Sequence, residues 1–148
     1  MYSIIIHPTD LSEATVSALK TAYELARNLN SRLIICYVAH PPMVASGTRL
    51  TDPKSGQSRD IDDEIRSIQP LDPAVDSEVR VITIEESSDL KPLLTVLETM
   101  GGELMVIGVH KKRGVGGWWG RTITEEVVSQ AHCDVLVVKH HEDDESGK

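Results

Sequence analysis

The residues best suited to chemistry crowd into GVHKKRGVGGWWGRT, residues 108–122, which holds four cations, five glycines, a histidine and both tryptophans of the chain, with no acid. A glycine-rich turn that runs into a helix can meet phosphate oxygens with bare peptide N–H groups, and neighbouring Lys or Arg add charge. Paired aromatics beside Lys111, Lys112 and Arg113 could instead stack the bases of a single strand, and tryptophan with arginine also anchors protein interfaces. Trp118 and Trp119 cannot both face one core from an extended segment, so at least one is expected at the surface. Loop anchoring and contact with a dimer mate is the plainer account of the pair. The formal net charge of −8 decides against nucleic acid, because one short basic loop on an acidic domain offers too few phosphate contacts.

Other reactive side chains point to less. His7, Asp10 and Ser12 lie close together, but no G-x-S-x-G elbow surrounds the serine, and His7 sits inside an apolar run that favours core packing. No catalytic residue is assigned. His110 borders the cationic loop and could touch phosphate or stand as a polar loop residue. His140, His141 and Glu142 could chelate adventitious metal, but adjacent ligands in a polar tail make no defined tetrahedral site, so no metal is expected. Cys36 and Cys133 fall in or beside apolar runs and are expected as reduced packing residues. The chain opens directly on strand-like residues, MYSIIIHP, with no cleavable leader pattern, and no window approaches the roughly 18 apolar residues of a membrane span. A cytoplasmic location is expected.

These residues need a frame. Short β-branched runs alternate with amphipathic stretches, the pattern of a parallel sheet covered by helices on both faces. Strands are predicted at Ser3–Thr9, Arg32–Val38, Glu78–Ile84, Glu103–Val109 and Asp134–Lys139. Ser12 can cap a first helix whose buried stripe reads Ala18, Leu19, Ala22, Leu25, Ala26 and Leu29. From His40 to Ser77, punctuated by prolines, a long excursion with one short helix is expected, on the spacing of Ile61, Ile65 and Ile68. A helix opens near Asp89, with Pro92 tolerable in its first turn. The last helix begins at the capping box Thr122–Glu125 and buries Ile123, Val127, Val128 and Ala131. Residues 1–140 read as one domain and 141–148 as an acidic, flexible tail.

IIIHPTDLSEATVSALKTAYELA and GVHKKRGVGGWWGRTITEEVVSQAHCDVLVV, in that order, resemble the first and last segments of the universal stress proteins, and the likeness weakens only from about residue 42 to 76. The resemblance implies an α/β, Rossmann-like, adenine nucleotide alpha hydrolase-like fold: a five-stranded parallel sheet in the order 3-2-1-4-5. It also implies a homodimer formed through the last strand, at Val135, Leu136, Val137 and Val138. Physics agrees, since so apolar an edge is a liability that pairing with its own copy removes. That strand order places a switch point between strands 1 and 4, where such folds bind ligands.

The resemblance further implies ATP or AMP as ligand, with no conversion beyond slow ATP hydrolysis. Asp10 would meet adenine or ribose, the backbone of Val38 the adenine, and the loop and helix start through Ile123 the phosphates. The family's G-x-x-G, then nine residues, then G-[S/T] falls here on Gly108, Lys111, Arg121 and Thr122, so the spacing is kept and two of three glycines are lost. Lysine and arginine at those points obstruct close approach of the main chain, or hold phosphate by charge. Two readings stay open: a nucleotide-responsive regulator, and a nucleotide-independent dimeric adaptor that engages a partner protein through the 111–121 loop. On the second, Asp10 and Thr122 only cap helices.

Overall fold

The computed structural model describes residues 1–85, 89–110 and 121–140, without the side chains of Arg121 and Thr122. Along them run β1 (Ile4–Thr9), α1 (Glu13–Leu29), β2 (Arg32–Ala39), β3 (Val44–Ser46), β4 (Arg49–Thr51), β5 (Ser58–Asp60), α2 (Ile61–Ile68), β6 (Ser77–Thr83), α3 (Lys91–Thr99), β7 (Leu104–His110), α4 (Arg121–Gln130) and β8 (Asp134–His140). Five of the strands form one sheet in the order β6-β2-β1-β7-β8, parallel at every junction. This is the expected 3-2-1-4-5 order with three short strands set aside.

Strand alternation divides the core in two. Ile5, Leu33, Ile35, Leu104 and Val106 pack beneath α1 and α2, while Ile6, Ile34, Cys36, Met105 and Ile107 pack beneath α3 and α4. Complete burial of Ile5, Ile6, Leu33, Ile34 and Ile35 contributes about 1.5–3 kcal/mol each, so β1 and β2 carry much of the stability. Cys36 is part of this core, and its burial pushes the thiol up to about 12. Both cysteines are unbridged. No helix among the described residues is long and apolar enough to cross a membrane.

Three expectations need correction. The span from His40 to Ser77 holds, besides α2, a three-stranded antiparallel sheet in the order β3-β4-β5. Its strands have three residues each, too short for a period to show, and only Leu50 is buried. The turn between Ser46 and Arg49 takes Gly47 at φ +61, the positive φ that tight hairpins demand. In α1, the buried face is Ala14, Thr15, Ala18, Leu19, Ala22, Tyr23 and Ala26, whereas Leu29 is 37% exposed because the stripe runs off the sheet at the last turn. Small residues in that stripe let α1 lie close against β7 and β8. In α4, Ile123 and Val127 are buried but Val128 is 52% exposed, about 100° further round a helix that covers the sheet with one narrow face.

Candidate functional site

The sheet opens between β1 and β7. Six residue pairs join β1 to β2, from Ile4↔Arg32 to Thr9↔Tyr37, but only Ile5↔Leu104 and Ile6↔Met105 join β1 to β7. Beyond that point a side chain bridges the strands: His7 Nδ1 donates to Val106 O at 2.8 Å. Pro8 follows and brings no N–H to the strand. His7 is fully buried, and desolvation holds its imidazole down at about 4, so the ring is neutral. Its other nitrogen, Nε2, has no partner among the described residues. The histidine is a core residue that closes the base of the crevice.

Asp10 stands at the mouth. Its Oδ1 accepts from Ser12 N at 2.9 Å, an Asx turn that leads into α1. Leu11 between them holds φ +61, a left-handed conformation that costs a bulky residue free energy and needs support. Thr9 supplies it: its Oγ1 accepts from Leu11 N at 2.9 Å and lies 2.6 Å from Thr15 Oγ1, which donates to Ser12 O at 3.1 Å. With that donor committed, the proton between the two threonines belongs to Thr9. Thr9 and Thr15 are fully buried. Sequence reasoning missed both, since hydroxyls six apart, on a strand and on a helix, follow neither period.

On the next strand, β2 runs past its ladder with β1 and keeps pairing with β6 through Val38↔Ile82 and Ala39↔Thr83. Val38 therefore follows Tyr37, the register partner of Thr9, on the strand beside the Asp10 loop. Across the crevice, α4 leads back from the carboxyl edge, and Ile123 in its first turn is buried against the sheet. Gly108 belongs to β7, where a Cβ would stand 2.1 Å from Ala14 O. Its bare backbone is needed for α1 to approach, a cause independent of any phosphate. Lys111, Trp118 and Trp119 lie outside the described residues, as do the side chains of Arg121 and Thr122, whose main chain opens α4. The tail 141–148 lies outside them too.

An α/β sheet of this order, split at its switch point beside an Asp-bearing first loop, is the frame described above for one family, and the profile of the "Universal stress protein family" matches residues 1–139. The chain belongs to the universal stress protein family. No curated protein sequence matches it significantly. Among solved structures, it is similar to a universal stress protein family member from Burkholderia pseudomallei, 26% identical with a TM-score of 0.58, over 93% of this chain and 96% of that one. It is also similar to a universal stress protein in complex with cAMP, 20% identical with a TM-score of 0.62, over 94% and 98% of the two chains. A family protein from Arabidopsis thaliana with AMP bound is 13% identical with a TM-score of 0.57, over 99% and 95%. At those two identities the likeness is one of fold.

Within this universal stress protein fold, β8 is the edge strand and pairs with β7 alone among the described residues. Leu136 and Val137 are each 37% exposed, while Val135 and Val138 are half-buried. Together with Val128 they leave apolar surface on and beside the sheet's open edge.

Proposed function

We propose that this universal stress protein is a cytoplasmic, dimeric stress-response regulator that binds an adenine nucleotide, ATP or AMP, in the crevice between β1 and β7. The observation that carries the reading is the early parting of those strands, with Asp10 and Val38 on one wall and the start of α4 on the other. Asp10 keeps its loop with one carboxylate oxygen and offers the other to the base or ribose. The Val38 main chain meets the adenine, and the helix start at Arg121, Thr122 and Ile123 faces the phosphates, where orphan N–H groups and the helix dipole favour an anion. Lys111 and Arg121 stand where family glycines do, and they hold the anion by charge. Two structural relatives carry cAMP and AMP, which supports this ligand class. The protein works by binding, with ATP hydrolysis at most a slow side reaction.

Self-association uses the β8 edge, where Val135, Leu136, Val137 and Val138 meet the same residues of a second copy. Calorimetry with ATP, AMP and cyclic AMP tests the nucleotide site. Heat that disappears in Asp10→Ala is expected, and no heat at millimolar ligand would end the reading. Lys111→Gly weakens binding if the lysine grips phosphate; tighter binding would show that it obstructs.

A further inference from the structure

A second constellation lies at the same sheet edge, on the opposite side of β7. His110 and His140 end the adjacent parallel strands β7 and β8 and are register partners, so their side chains leave the sheet on one face. That face is the one beneath α1, because Gly108, two residues before His110, backs onto Ala14. The rings stand 5.2 Å apart between centroids and are tilted by 58°, so they are not stacked. Glu13, the first residue of α1, brings its Oε1 to 3.7 Å from His110 Nε2. One ligand atom from each of the three lies within 4.8 Å of the other two. A fourth residue steadies the set: Ser17, one turn along α1, places its Oγ 2.9 Å from His140 Nδ1, the kind of outer hydrogen bond that orients ligating imidazoles.

We propose that Glu13, His110 and His140 form a binding site for a divalent late first-row transition ion, best matched by Zn²⁺. Two imidazoles and one carboxylate are a zinc donor set that leaves a fourth position open, whereas the nitrogen majority disfavours Mg²⁺ and Ca²⁺. Ligand atoms at bonds of about 2.0–2.2 Å to one ion lie about 3.3 Å apart, so the cluster needs only a small contraction. Glu13 can supply it, since its side chain is 71% exposed and hinges at the start of α1, while His110 is held in the interior. The expectation of no metal looked only at the contiguous His140, His141 and Glu142; the set brought together by the fold is drawn from three elements. An ion there ties the start of α1 to the ends of β7 and β8. Because the site exists only in the folded chain, binding stabilises that chain. None of this depends on the nucleotide reading.

The test uses the full chain without a purification tag, stripped by a chelator and titrated with Zn²⁺ against a chromogenic competitor, with Co²⁺ as a visible probe of tetrahedral coordination. One equivalent per chain is expected, with a higher thermal midpoint. Glu13→Gln and His110→Gln should each weaken binding at least tenfold, and His141→Ala should leave it unchanged. Circular dichroism reports whether His110→Gln folds; if it does not, the exposed Glu13→Gln decides alone. Absence of binding at micromolar Zn²⁺ overturns the proposal. So does binding that survives Glu13→Gln but is lost in His141→Ala, which would locate the ion in the tail.

Discussion

Replacing Gly108 with alanine separates packing from ligand binding at the one motif glycine this chain keeps in place. The new Cβ would stand 2.1 Å from Ala14 O and 3.0 Å from both Ala14 C and Thr15 Cα, all main-chain atoms of the first turn of α1. Ordinary contact begins near 3.4 Å, so that turn must retreat by about 1 Å or β7 must bend. Overpacking of this kind costs about 1–3 kcal/mol, and an obstacle of backbone rather than side-chain tips puts Gly108→Ala at about 3 kcal/mol. In a domain of this length that lowers the thermal midpoint by about 6–12 °C, and it lowers the urea midpoint at unchanged slope. Gly102→Ala is the internal control. Its Cβ would meet Ile6 Cδ1 and Leu97 Cδ1 at 2.7 Å, ends of side chains that can rotate aside, for about 1 kcal/mol. Both variants are to be unfolded in urea and by heat without ligand. If Gly108→Ala unfolds like the parent and loses only nucleotide heat, the glycine serves the phosphate, and the packing argument is wrong.

Acid should weaken the fold through His7. Burial holds its folded value at about 4 against 6.5 in the unfolded chain. Above pH 6.5 both states are neutral and the contribution is complete; as pH falls toward 4 the unfolded chain takes up a proton that the folded chain refuses, and stability is lost. Between pH 7 and pH 5 this amounts to about 2 kcal/mol, so urea unfolding at the two pH values should show His7→Gln, which keeps a donor but does not titrate, losing about that much less than the parent. Equal losses would show that another group governs the acid limb. At the β8 edge, Val137→Lys places a charge on an exposed apolar position and should convert a dimer to a monomer in light scattering, with the folded circular dichroism spectrum retained. A dimer that persists would move the interface elsewhere.

The legible part of this protein is the part in which one residue type repeats against one surface. β2 is buried from Leu33 to Ala39, and its sequence LIICYVA admits no other place than an inner strand. Asp10 was singled out by the family resemblance alone, and the structure places it in the loop after β1, where it accepts from Ser12 N. The β3-β4-β5 sheet escaped because Leu50 alone carries its burial, and a single apolar residue has no period. Leu29 and Val128 were misplaced because a helical stripe, extended by spacing, does not tell where the sheet beneath it ends.

Contacts at the ends of elements pose a different problem. His110 meets His140 through the β7–β8 register, but Thr9 finds Thr15, and His110 finds Glu13, through geometry that is settled by how closely α1 approaches the sheet. That approach is settled in turn by the missing side chain of Gly108 and the small side chains of Ala14 and Ala18. A glycine read along the chain as an opening for phosphate therefore acts first across the layer, by letting a helix down onto the sheet. The Asp10 loop on one side of β7 and the reach of Glu13 to the histidine pair on the other both inherit their spacing from that contact. If it is loosened, the proposed nucleotide and metal sites should fail together although they share no ligand residue.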